Sequence, residues 1–225
     1  MPTVLILGAS RGIGYELASQ YRQAQWRVIA TVRDDDAKKR LTSLGCEVLQ
    51  VDLAQASGSS GLAWQLDGEK LDLAIYCAGV MDRASAPQPP TREAFDHVMH
   101  ANVMGAMQAL PQILPMVEAA RGTLVCLSSV MGSLQETGRG NAWLYRVSKA
   151  ALNMVVRCLQ AEQMHVTVLA MHPGWVQTDM GGAAATLTVT DSVSSMRKSL
   201  ERIRARADSK DRGAFFNHDG ASLSW

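Results

Sequence analysis

Short runs of β-branched and aliphatic residues alternate with helical patterns along the whole chain, and this alternation restricts the fold more than any other sequence feature. Thr3–Leu7 (TVLIL) reads as a buried strand that runs into a glycine-rich turn, and helical spacing follows over residues 12–24. Arg27–Val32 (RVIATV) reads as a second strand and residues 34–44 as a short charged helix. Residues 47–51, 71–77, Thr123–Leu127 and 166–171 are further strand candidates. Residues 91–107 and 145–163 are the longest helical patterns, and Pro111 and Pro115 are expected to limit how far the first continues. Parallel strands need crossover connections, because a tight hairpin joins only antiparallel ones. The repetition therefore predicts a doubly wound α/β domain, a parallel sheet flanked by helices, over residues 1–225.

The stretches between these elements are expected to be irregular. Residues 57–61 (SGSSG) and 84–90 (ASAPQPP) read as surface loops, the second preceding a helix capped by Thr91. Residues 180–190 are small and weakly patterned, which suits a mobile lid over a site. Behind them Val193, Met196, Leu200, Ile203 and Ala207 form an apolar stripe at helical spacing, read as a helix packed on the body. Residues 180–207 are thus the expected substrate loop and helix. The 22 basic and 21 acidic residues give a net charge of +1, so no broad field attracts nucleic acid or an anionic membrane. No apolar run is long enough for a membrane helix, and the first residues lack the pattern of a signal peptide. A cytoplasmic protein is expected, with Cys46, Cys77, Cys126 and Cys158 as reduced, mostly buried thiols. His97 and His100 lie close together with no cysteine or acidic cluster to complete a metal shell, so no metal is implied.

The turn between the first strand and helix reads Gly8-Ala9-Ser10-Arg11-Gly12-Ile13-Gly14. Glycines there permit a tight turn, let backbone approach a pyrophosphate and let the helix pack against the sheet. The helix N-terminus offers free N–H groups to phosphate. At the end of the second strand, Arg33 stands where an NAD site usually carries an acid for the ribose hydroxyls. Arg33 and Arg11 suit a 2′-phosphate, which carries roughly −1.5 to −2 charges. Asp34 is the competing ribose ligand, although Asp34, Asp35 and Asp36 also suit a helix N-cap and first turn. NADP(H) is therefore preferred, with NAD(H) possible.

Tyr145 and Lys149 are four residues apart on one helical face, and the serine pair Ser128-Ser129 ends the strand sixteen residues upstream of Tyr145. A cation about 4 Å from a phenolate contributes about 4 kcal/mol at an effective dielectric near 20. That is enough to draw a tyrosine from about 10 towards about 7, useful for acid–base work. Lys149 is expected to act on Tyr145 in this way.

In combination and order, these residues resemble the short-chain dehydrogenases/reductases. The resemblance rests on the glycine turn, Asp52-Leu53, Ala78-Gly79, Asn102, Ser128-Ser129, Tyr145 with Lys149, and Pro173-Gly174. The run from His172 to Met180, Asp219-Gly220 and Trp225 look like the C-factor/sniffer-like carbonyl reductase branch. The resemblance implies a Rossmann fold and an NADP(H)-dependent interconversion of a carbonyl and an alcohol on a small-molecule substrate, in a homodimer or homotetramer. A non-catalytic dinucleotide-binding regulator or signalling protein of the same fold is the alternative. It also implies Tyr145 as acid/base, Ser129 holding the reacting oxygen, and Lys149 lowering the tyrosine pKa and holding the nicotinamide ribose. Asn102 would kink its helix and hold a relay water. Asp52 and Leu53 would meet the adenine, Ala78 and Gly79 the adenosine side, and Pro173, Gly174, Val176 and Thr178 the nicotinamide end or the phosphates. Two departures stand out. Tyr76-Cys77 replaces the family's frequent Asn-Asn, and the Ser129–Tyr145 spacing is longer than usual.

Overall fold

The computed structural model describes residues 1–55 and 58–225. Its strands are β1 (Thr3–Leu7), β2 (Arg27–Val32), β3 (Glu47–Gln50), β4 (Leu73–Tyr76), β5 (Thr123–Leu127), β6 (Thr167–His172) and β7 (Phe215–Asn217). All pair in parallel in the order β3-β2-β1-β4-β5-β6-β7, so the predicted doubly wound Rossmann architecture is what forms. Every residue of β1 is buried because helices cover both faces of the sheet, which is why TVLIL is continuously apolar rather than alternating. Leu5 and Leu7 face one core and Val4 and Ile6 the other. The strand order reverses between β1 and β4, and the carboxyl ends of strands diverge there into a crevice.

The helices are α1 (Gly12–Gln23), α2 (Asp35–Ser43), α3 (Leu62–Gln65), α4 (Arg92–Met99), α5 (Gly105–Ala119), α6 (Trp143–Glu162) and α7 (Val189–Arg206). Asp34 caps α2 by accepting from Ala37 N at 2.8 Å, and Thr91 caps α4 by accepting from Ala94 N at 3.1 Å. α7 lies on α1, with Val193, Met196, Leu200 and Ile203 in the same core as Leu17 and Tyr21. Ala207 departs from the expected stripe: it is an exposed left-handed C-cap, one residue past the packed turn. Among the described residues, no helix is long and apolar enough to cross a membrane.

Pro111 and Pro115 do not stop the long helix; both lie inside α5. They are exposed, whereas Ala106, Ala109, Leu110, Ile113, Leu114 and Val117 are buried. The carbonyls that lose a partner therefore face water, and burial of the opposite side holds the helix. β7 and α3 are too short for periodicity to reveal. Ser57, within the expected 57–61 loop, lies outside the described residues, and residues 58–61 form turns leading into α3. All four cysteines are free, but only Cys46 and Cys126 are buried; Cys77 is half-buried and Cys158 exposed. Ile113→Ala should lower unfolding free energy by about 2–5 kcal/mol, whereas Pro115→Ala should change it by less than about 1 kcal/mol, both read from denaturant melts.

Candidate active site

The glycine turn is fastened to β2 before it meets any ligand. Thr31 Oγ1 accepts from Gly8 N at 2.9 Å, and Ala9 N donates to Thr31 O at 2.8 Å. Gly8 has φ +93°, and a Cβ on Gly14 would lie 2.2 Å from Gly8 O. Only glycine lets α1 start this close to the end of β1. The turn opens on a cleft of about 470 Å³ at the carboxyl edge of the sheet. Gly8, Ser10, Arg11, Gly12, Ile13 and Gly14 form its near wall, with Arg33 at one end. Asp52, Leu53, Ala78 and Gly79 continue the wall, and Tyr145, Lys149, Pro173 and Thr178 complete it. Gly174 and Val176 are not part of that wall. Gly174 turns the chain at φ +87°, and Val176 is buried against Leu187 in an isolated bridge.

Charge concentrates at the Arg33 end. Arg33 is exposed, and its backbone N donates to Ser10 Oγ at 3.3 Å. Arg40, which the sequence reading missed, reaches from α2 to donate to Ser10 O at 3.0 Å. Its helical distance from Arg33 hides this proximity in the sequence. Asp34 is engaged in its cap, as the N-cap alternative expects. Arg11 forms an exposed ion pair with Asp179 across the cleft mouth. Asp52 accepts locally from Ala54 N at 3.1 Å and from Gln55 Nε2 at 3.0 Å.

At the other end, β5 and α6 bring Ser129, Tyr145 and Lys149 together. The Ser129 hydroxyl lies beside the Tyr145 phenol and caps a short turn by accepting from Met131 N at 3.1 Å. Lys149 Nζ lies 5.7 Å from the centre of the Tyr145 ring and donates to Leu127 O at 2.9 Å. Neighbouring Ser128 points elsewhere, donating to Asn153 Oδ1 at 2.5 Å. Burial pushes the Tyr145 phenol up to about 12, against the opposing effect of the Ser129 hydroxyl. Burial also pulls the Lys149 ammonium down to about 8. The expected drop of Tyr145 towards neutrality is therefore corrected. Loss of water dominates, and the lysine directs its proton to a backbone carbonyl.

Asn102 does sit at a break in its helix, within a π-helical turn over His100–Met104. Fully buried behind the cleft wall, it bonds Val80 through both backbone groups and donates to Ser148 Oγ at 2.8 Å. Gly79 is pressed against this group: a Cβ there would lie 3.2 Å from Asn102 Oδ1 and 3.4 Å from Lys149 Nζ. Sequence reading did not single out Val80 or Ser148 because their roles run through a neighbour's side chain.

The segment expected as a lid is cross-braced. Val176 bridges Leu187, Gln177 Nε2 donates to Ala185 O at 3.0 Å, and Arg83 reaches over to Met180 O at 2.6 Å. Met180 lines the cleft; Trp175 is exposed and donates to Gly181 O, and Trp143 lies outside the cleft wall. Of α7, only Val189 at its start reaches the cleft.

The model of the short chain dehydrogenase family matches residues 2–187. C-signal of Myxococcus xanthus is 39% identical over 128 residues, covering 55% of this chain and 74% of that relative. Carbonyl reductase Sniffer of D. melanogaster superposes over the full length of both chains with a TM-score of 0.89 at 26% identity. A carbonyl reductase from Pseudomonas aeruginosa PAO1 in complex with NADP does so over the full length of both chains with 0.83 at 28%. A glycine cleft and a serine–tyrosine–lysine cluster on one parallel sheet thus agree with the sequence match, and the chain belongs to the short chain dehydrogenase family.

Proposed function

We propose that the protein is an NADP(H)-dependent oxidoreductase that interconverts a carbonyl and an alcohol on a small molecule. The observation that carries this reading is the meeting of Tyr145 and Lys149 in the cleft wall, with the buried Ser129 beside the Tyr145 phenol. The residues fit a dinucleotide: a side-chain-free Gly14 lets α1 start against the end of β1, and the residues of the turn line the cleft. Arg33, with Arg11 and Arg40 near the same turn, supports a 2′-phosphate, and carbonyl reductase neighbours carry bound NADP. Asp52, Leu53, Ala78 and Gly79 would hold the adenosine portion, and Pro173 and Thr178 the nicotinamide end.

A bound reduced nicotinamide supplies the hydride. Tyr145, whose burial keeps its proton, donates that proton to the carbonyl oxygen, and Ser129 steadies the same oxygen through its hydroxyl. Lys149 places a positive charge beside the phenol, lines the cleft and would hold the nicotinamide ribose. Asn102, braced on Val80 and Ser148, holds the backbone behind Lys149. Residues 180–207 contribute specificity through Met180 and the start of α7. Likeness to C-signal favours a second reading, a dinucleotide-binding signalling protein. The assembled acid–base cluster favours turnover.

Three outcomes test this reading. Tyr145→Phe should lower carbonyl reduction by about 10²–10⁴-fold while NADPH still raises the melting temperature; full turnover in this variant overturns the enzymatic reading. NADPH should protect against melting more than NADH, and Arg33→Ala should erase the difference. In reduction both acidic forms are required, so kcat/KM should be flat below about pH 8 and fall above it as Lys149 loses its proton, while Tyr145 stays protonated to about 12.

A further inference from the structure

Tyr76 stands where the family's frequent motif has asparagine, and the cleft chemistry leaves it unexplained. It ends β4, is fully buried, and donates from its phenol to Ala101 O at 3.2 Å. That carbonyl belongs to the π-helical turn His100–Met104. At the end of this turn, Gly105 N reaches back to His100 O instead of to Ala101 O, the acceptor an α-helix would use. The turn diverts a backbone donor from a buried carbonyl, and the Tyr76 hydroxyl supplies one. A buried carbonyl without any donor is costly, so this bond bears on whether the turn forms.

The phenol has a built approach. A Cβ on Gly105 would lie 2.8 Å from Tyr76 Oη and 2.3 Å from Leu53 O, so the helix comes this near β4 only with glycine there. Burial raises the Tyr76 phenol, which keeps it a neutral donor throughout the working pH range. The residue after Ala101 is Asn102. Its Oδ1 accepts from Val80 N at 2.7 Å, its Nδ2 donates to Val80 O and Ser148 Oγ, both at 2.8 Å, and Ser148 Oγ donates to Tyr145 O at 2.7 Å. A continuous set of contacts therefore runs from β4 through the π turn to the helix that carries Tyr145 and Lys149.

We propose that Tyr76 is a positioning residue for the active site: its bond to Ala101 O holds the π turn that directs Asn102 onto Val80 and Ser148. An asparagine at the end of β4 is too short to take the place of a phenol across this gap. The proposal rests on the carbonyl–alcohol reading of the site for its kinetic consequence and on the π turn alone for its structural one.

The test compares the wild type with Tyr76→Phe, Asn102→Ala and the double variant. Tyr21→Phe, a buried phenol between α1 and α7 and remote from the cleft, serves as the control. Turnover is measured with NADPH and p-nitrobenzaldehyde, and amide hydrogen exchange is followed by NMR. Tyr76→Phe should lower kcat roughly tenfold to a hundredfold with little change in KM, and Tyr21→Phe should lose stability at unchanged kcat. The double variant should be no slower than Asn102→Ala alone, because both act through one turn. Exchange in Tyr76→Phe should rise selectively over residues 100–105. Unchanged kcat, multiplicative losses, an equal loss in Tyr21→Phe, or exchange that rises uniformly would each overturn the role. A wild type that binds NADPH without reducing the aldehyde counts against the activity reading, and selective exchange at 100–105 then decides the role of Tyr76. Should Tyr76→Phe not fold, the wild type decides: a slowly exchanging Tyr76 hydroxyl proton with a cross-peak to the Ala101 region supports the bond, and its absence overturns it.

Discussion

The site depends on how closely α1 can approach the end of β1. The carbonyl of Gly8 would lie 2.2 Å from any Cβ on Gly14, so the helix axis points at the sheet edge only while position 14 has no side chain. Thr31 on the neighbouring strand then holds the turn through Gly8 N and Ala9 N. With this corner set, the first turn of α1 faces the crevice at the reversal of strand order, and the β4, β5 and β6 ends stand around the same opening. The opposite loop follows: Thr178 approaches Gly12, and Asp179 pairs with Arg11.

At the inner end, burial acts in opposite senses on two neighbours. Removing water raises the phenol of Tyr145 and lowers the ammonium of Lys149, since each change favours the neutral form. The bond from Lys149 to Leu127 O partly replaces the lost water, and the Ser129 hydroxyl beside the phenol opposes its rise. The reacting groups are thus held by the backbone of β5 as much as by one another. Ser129 follows the carboxyl end of β5 by two residues, and the last carbonyl of that strand, Leu127 O, holds Lys149.

Much of this was legible in the chain. The continuous apolar run of β1, the glycine turn and the spacing of Tyr145 and Lys149 are local patterns that survive folding almost unchanged. The capping roles of Asp34 and Thr91 are equally local. What escaped depended on distant surroundings. Pro111 and Pro115 are tolerated because they lie on the wet side of α5, a fact that only the packing of Ile113 and Val117 establishes. Arg40 reaches the glycine turn from α2 through a side-chain bond to Ser10 O, and β7 exists because β6 offers an edge to three residues.

Sequence alone determined the kind of fold, the place of the dinucleotide turn and the identity of the acid–base candidates, because periodicity and glycine tolerance are properties of consecutive residues. The tertiary structure decided the burial that raises Tyr145 and lowers Lys149, the engagement of Arg11 with Asp179 and the contact of Tyr76 with Ala101 O. Each of these depends on the removal of water or on the meeting of segments far apart in the chain, and neither is encoded by local spacing.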